Sequence, residues 1–166
     1  MVTTIEDNRS QWRLGEILIQ NGWITWNQLE EGLSLQKNCG GFLGEILIDR
    51  GYIQRENVLK ALALQFGIPY VRLSELSVQE AAIQCLPKRM AYEYQIMPLA
   101  KKGATLLIAV SDPIDRIPML KIQEVGNLVE IRFVLADPED IRLTITKFYG
   151  PESDSVASAD FRAYTR

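Results

Sequence analysis

The most constraining feature of this chain is that it says nearly the same thing twice. Arg13-Leu14-Gly15-Glu16-Ile17-Leu18-Ile19 recurs as Phe42-Leu43-Gly44-Glu45-Ile46-Leu47-Ile48, and the two runs differ only in the first residue. The agreement continues at a constant offset of 29: Gly22 matches Gly51, Ile24 matches Ile53, Leu29 matches Val58, Leu33 matches Leu62 and Gln36 matches Gln65. Two 24-residue units, 13–36 and 42–65, are separated by the five-residue spacer Lys37-Asn38-Cys39-Gly40-Gly41. A repeat at a fixed period marks one supersecondary unit used twice. Polar and glycine positions repeat as faithfully as apolar ones, and that is what needs explaining.

Each unit reads as a helical hairpin. Leu14, Ile17 and Leu18 follow the i, i+3, i+4 spacing of a short helix. Gly22 and Gly51 stand where that helix ends, in the left-handed conformation glycine tolerates best. Thr25 with Gln28 forms a capping box that opens a second helix; its copy starts at Gln54, a poorer cap, with Glu56 in the first turn. Leu29, Leu33 and Gln36 then share one face at i, i+4, i+7, as do Val58, Leu62 and Gln65. Residues 13–66 are thus expected to form a four-helix cluster.

Gly67-Ile68-Pro69 ends the pattern and sets a boundary. Ser77-Val78-Gln79-Glu80 reads as a capping box for a helix through about Leu86, and Pro87 suits the first turn of another. Strands are expected at 95–100 and 105–110 with a turn at Lys101-Lys102-Gly103, then a helix from Asp112-Pro113 to about Val125, stopped by Gly126. Leu128 to Val134 alternates as a half-buried strand, and Asp137-Pro138 opens a last helix whose apolar face holds Ile141, Ile145 and Phe148. The fold class is therefore α+β: two tandem helical hairpins followed by a small α/β layer over residues 67–150. Residues 1–12 are expected to be flexible and residues 151–166 to form a disordered tail.

Composition removes several functions. A net charge of −3 and a pI near 5.1 argue against a nucleic acid polymer as partner. No apolar run approaches the roughly 20 residues of a membrane span, and the start lacks a secretion signal, so a cytoplasmic setting without direct membrane insertion is expected. Two cysteines are too few for a disulfide framework. The chain contains no histidine, which excludes Ser-His-Asp and Cys-His catalysis and every His-bearing metal site. Asp112, Asp115, Asp137 and Asp140 lie where helix starts attract carboxylates, with no paired acid and base, so no catalytic residue, metal ligand or cofactor is assigned.

The repeated residues support two readings. Leu14, Leu18, Leu29, Leu33 and their copies Leu43, Leu47, Val58 and Leu62 read first as core. Gln36 and Gln65 end an apolar stripe and need partners, which a nearby carbonyl would supply. Gly15 and Gly44 imply closeness, either of one hairpin to another or of first-turn N–H groups to an anion. Arg13 offers a planar fork to a phosphate or to the O6/N7 edge of guanine, and Glu16 and Glu45 would accept from the opposite edge. Together these suit a ligand with purine faces, guanine edges and a few phosphates. Leucine pairs would sandwich the bases, glutamines and an arginine would address their edges, and glycine N–H groups would meet the phosphates.

The whole spacing, Arg-Leu-Gly-x-x-Leu-x-x-x-Gly-x-Ile-x-x-x-x-Leu-x-x-x-Leu-x-x-Gln in two copies split by five residues, resembles the MshEN domain. That family stands at the N-terminus of type II secretion and type IV pilus assembly ATPases, and many members bind cyclic di-GMP. The first copy matches at Arg13, Leu14, Gly15, Leu18, Gly22, Ile24, Leu29, Leu33 and Gln36. The second matches at Leu43, Gly44, Leu47, Gly51, Ile53, Leu62 and Gln65, and departs with Phe42 for arginine and Val58 for leucine. Phe42 would stack on a base where the family donates to it. The resemblance implies a non-catalytic cyclic di-GMP receptor that acts on a protein partner or a C-terminal ATPase domain. The alternative is a nucleotide-independent docking module of a secretion or pilus assembly. No Gly-x-x-x-x-Gly-Lys-[Ser/Thr] phosphate loop occurs, so ATP hydrolysis of that kind is not expected of these residues.

Overall fold

The first helix of each hairpin is short because a glycine stops it. In the computed structural model, which describes residues 13–112 and 119–152, α1 (Leu14–Gln20) and α3 (Leu43–Asp49) end in the same way. Gly22 (φ 68°) and Gly51 (φ 71°) take the left-handed conformation. Their N–H groups donate to Ile19 O and Ile48 O, while the next N–H groups, of Trp23 and Tyr52, reach back to Leu18 O and Leu47 O at 3.0 Å. This paired return satisfies carbonyls that a helix end would otherwise orphan. The second helices are α2 (Trp26–Cys39) and α4 (Arg55–Phe66). Thr25 caps α2 as the capping box requires, its N–H donating to Gln28 Oε1 at 2.8 Å and its Oγ1 accepting from Gln28 N at 3.4 Å. Gln54 makes no side-chain cap bond to α4.

The hairpins exchange partners: α1 packs against α4, and α2 against α3. Small residues permit the close approach. A Cβ on Gly15 would lie 2.6 Å from Leu29 Cδ1, one on Gly44 2.7 Å from Val58 Cγ1, and one on Gly32 2.9 Å from Leu47 Cδ2. Gly32 and its copy Ala61 are both buried mid-helix, and neither stood out in the sequence. The cluster closes over Ile17, Leu18, Ile24, Leu29, Leu47, Ile53, Val58 and Ala61.

Beyond Gly67, which ends α4 at φ 66°, the chain runs onto the edge of a sheet. Leu135 N donates to Pro69 O at 2.7 Å and Val71 N to Leu135 O at 2.8 Å. The sheet has the order β1 (Met97–Lys102), β2 (Thr105–Val110), β3 (Glu130–Leu135), with β1 antiparallel and β3 parallel to β2. Short helices α5 (Glu80–Ile83) and α6 (Lys88–Glu93) precede it; α7 (Met119–Gly126) lies between β2 and β3, and α8 (Pro138–Tyr149) closes the domain. The α+β class and the expected order of elements hold throughout the described residues. The matching cores meet in α4: Val58 and Ala61 belong to the hairpin cluster, Leu59 and Ala63 to the α/β cluster, and Leu62 packs against both.

Four local expectations are corrected. β1 runs on through Lys101 and Lys102, so the turn expected at Lys101-Lys102-Gly103 falls at Gly103 and Ala104. The Ser77 capping box does not form, and α5 begins after Gln79. Gln79 is tied to β1 instead, its N–H donating to Leu99 O at 2.8 Å and its Oε1 accepting from Lys101 N at 2.9 Å. Asn127 (φ 50°), not Gly126, takes the left-handed turn after α7; a Cβ on Gly126 would sit 2.8 Å from Leu128 Cδ1. Phe148 is exposed, and Tyr149 turns inward, its hydroxyl 3.0 Å from Ile83 O and 2.9 Å from Leu86 O. Residues 1–12 and 153–166, expected to be loose, lie outside the described residues, as does the start of the helix expected at Pro113.

Two predictions follow from this packing. Val58 is β-branched and has little rotamer freedom to yield, whereas the far end of Leu29 can rotate. Gly44→Ala should therefore destabilise by about 1–3 kcal/mol in urea unfolding, and Gly15→Ala by less. A Gly44→Ala protein as stable as the parent would show that the fit is loose. Burial, with a smaller contribution from Cys85, pushes the Tyr149 phenol well above its ordinary range. A raised folded-state value stabilises fully below the unfolded tyrosine pKa of about 10 and is lost as pH rises beyond it. Tyr149→Phe should cost about 1–2 kcal/mol near neutrality, because the hydroxyl's shared bond to Ile83 O and Leu86 O is lost. It should also flatten the alkaline fall of stability; an unchanged fall above about pH 10 would contradict this.

Candidate functional site

The sequence divides the candidate residues evenly between two motifs, but the structure does not. A cleft of about 450 Å³ opens where the second hairpin faces the α/β part. Phe42, Leu43, Gly44 and Glu45, at the start of α3, form one side of it. Val58, Leu62 and Gln65 of α4 form its floor, and Leu14 enters from the first motif because α1 lies on α4. The far wall is Ser111 and Asp112 after β2 with Pro138 at the start of α8.

The helix geometry explains this grouping. Val58, Leu62 and Gln65 stand at i, i+4, i+7, so they share a face of α4. Phe42 is the N-cap residue of α3, where the chain is extended (φ −94°) and the side chain projects clear of the helix; it is 75% exposed. The lining is largely apolar, with a few polar groups at its margin, as ligand clefts usually are.

The first motif's candidates other than Leu14, and Leu47 of the second, lie elsewhere. Leu18 and Leu47 are fully buried and Leu29 is nearly so. These three therefore serve the hairpin core and support the candidate surface from beneath. Gly15 and Gly44 receive Leu29 and Val58 respectively, so tight packing accounts for both glycines without a ligand. Leu33, the copy of Leu62, is 46% exposed on α2, whereas Leu62 is half-buried under the α/β part. Gln36 finds the nearby carbonyl that an amide needs: its Nε2 donates to Gly41 O in the spacer at 2.9 Å. Gln65 faces the cleft instead. Arg13 caps α1 at the surface, and its own N–H donates to Glu16 Oε2 at 3.2 Å, so Glu16 serves the helix start.

The cleft also contains residues that the motif does not specify. Ile48, Leu59 and Phe66 extend its apolar lining, and Arg55, the first residue of α4, brings a guanidinium. Arg55 Nη1 lies 3.2 Å from Glu45 Oε1, an exposed ion pair. A second concavity of about 400 Å³, lined by Glu56, Lys60, Tyr70, Arg72 and Glu75, is occupied by its own charges. Glu56 pairs with Lys60 at 2.7 Å and with Arg72 at 2.6 Å, and these hold its carboxyl below the usual range. Among the described residues no group of three or more Cys, Asp or Glu gathers as metal ligands, and no helix is long and apolar enough to cross a membrane.

Known proteins resemble the domain as a whole. The MshEN domain model matches residues 66–155. Type IV pilus assembly ATPase PilB of Myxococcus xanthus is 29% identical over 146 residues, which cover 87% of this chain and 25% of that protein. Bacteriophage adsorption protein B of Escherichia coli K12 is 30% identical over 130 residues, 78% of this chain and 17% of that one. The chain thus spans a quarter or less of these relatives. A structure of MshE with cdg (cyclic di-GMP) superposes with a TM-score of 0.73 at 31% identity, over 84% of this chain and all of that one. The N-terminal domain of XpsE shares the fold, with a TM-score of 0.60 at 19% identity over 85% of this chain and 96% of that one. The tandem motif, the α/β layer behind it and these likenesses agree, and the chain belongs to the MshEN domain family.

Proposed function

We propose that this domain is a non-catalytic receptor for cyclic di-GMP. In this reading residues 13–66 form the nucleotide-binding subdomain, and residues 67–150 convey occupancy to a secretion or type IV pilus ATPase, or to a related partner in the cytoplasm. The observation that carries the reading is the cleft itself. It joins one motif to the α/β part, so a ligand seated there touches both and can alter how they sit. The likeness to MshE with cdg supports the choice of ligand.

Roles follow from placement. Leu14, Leu43 and Leu62 offer apolar faces to a purine, and Phe42 offers an aromatic one. Gln65 presents an amide to a base edge, and Glu45 a carboxylate. Arg13, at the start of the first motif, would address the other guanine, and Leu33, exposed on α2, would offer an apolar face. Gln36 is already engaged with Gly41 and would have to exchange that bond to take part.

Isothermal titration of the purified domain with cyclic di-GMP is the deciding measurement. Saturable heat is expected, and its absence at high micromolar nucleotide would leave the docking alternative. Arg13→Ala and Gln65→Ala should each weaken binding by about 1–3 kcal/mol, the usual range for a hydrogen bond to a charged group or a buried partner. Full affinity in both variants would mean that the base edges are read by other residues.

A further inference from the structure

The two motifs differ at their first residue in a way that a second position reverses. At the offset of 29, Arg13 corresponds to Phe42, and Trp26 corresponds to Arg55. One hairpin therefore carries arginine at its entry and an aromatic residue at the start of its second helix; the other carries the same two chemistries in exchanged places. The positions are close in space. Arg55 Nη1 reaches Glu45 Oε1 at 3.2 Å, and Glu45 stands in the first turn of α3, the helix that Phe42 caps. Phe42 and Arg55 both line the cleft.

Charge adds an independent argument. Glu45 and Asp112 line the cleft, and Arg55 is the one cationic side chain among the described residues that do so. A ligand bearing two phosphodiester charges would find in that guanidinium the one positive side chain that the described lining offers. The geometry points to Arg55 as a ligand-binding residue: it supplies the guanidinium of the second half-site, bonding acceptor atoms of the cyclic dinucleotide in place of the arginine absent at Phe42. This rests on the receptor reading above. The present pairing with Glu45 does not oppose it, because an ion pair this exposed is worth little and opens readily. An arginine fork, unlike a lysine, can then present two parallel N–H groups to a planar acceptor edge.

Titration of four variants with cyclic di-GMP tests the assignment, with far-UV circular dichroism to verify the fold. Arg55→Ala should weaken binding about tenfold or more. The loss should persist when Arg55→Ala is made in a Glu45→Gln background, which separates direct contact from restraint of Glu45. Returning the arginine to its entry position, in Phe42→Arg/Arg55→Ala, should recover most of the affinity. Wild-type binding with an unaffected Arg55→Ala protein would overturn this assignment and spare the receptor reading, as would an effect that vanishes in the Glu45→Gln background. Failure of the wild type to bind would remove both.

Discussion

The two-sided burial of α4 is the constraint on which the rest depends. Val58 and Ala61 face the hairpin cluster, Leu59 and Ala63 face the α/β cluster, and Leu62 touches both. A helix with one apolar stripe can join only one core. Here successive apolar residues spread around the helix, so two hydrophobic clusters share one backbone and neither can shift without the other. The pairing of Pro69 and Val71 with Leu135 then fastens the end of α4 to the sheet edge. The cleft is a product of that fastening, since its floor is α4 and its far wall is the residues just after β2 with the first residue of α8.

Exchange of partners between hairpins explains why glycine repeats as faithfully as leucine. Gly15 and Gly44 admit Leu29 and Val58, and Gly32 admits Leu47. Interiors are packed closely enough that one methyl group matters. Helix propensity alone would favour alanine at these sites by about 0.5–1 kcal/mol, so the close approach outweighs it. A duplicated fold nevertheless need not have duplicated surfaces. Leu62 is covered by the α/β part while Leu33 stands open, and Gln65 faces the cleft while Gln36 is held by Gly41. The asymmetry arises because only the second hairpin continues directly into the sheet.

Much of the architecture was legible because its signals are local. Glycine at a helix end, Thr25 with Gln28, and Asp137 before Pro138 each act within one turn of backbone, and the structure contains all three. Signals of the same kind failed where a longer-range contact competed. Gln79 bonds to β1 and overrides the Ser77 cap. Tyr149 goes inward in place of Phe148 because its hydroxyl meets two carbonyls across the fold. Of the candidate site, the α3 and α4 residues were readable from period and repeat. Arg55 was visible only as the counterpart of Trp26, a comparison that gains meaning once both ends of the exchange are known to share a cleft.

By itself the amino-acid sequence determined two equal hairpins, their stops and caps, the α+β class and the family, because these depend on neighbours a few residues apart and on a repeated spacing. Tertiary structure alone decided which leucines are core and which line the cleft, that Leu14 joins the second motif, and that Ser111, Asp112 and Pro138 close the cleft. The physical reason is that periodicity tells which side of a helix is apolar but not what covers it. Here the covering layer comes from residues 46 to 80 positions further along the chain, brought back by the burial of α4 on both its faces.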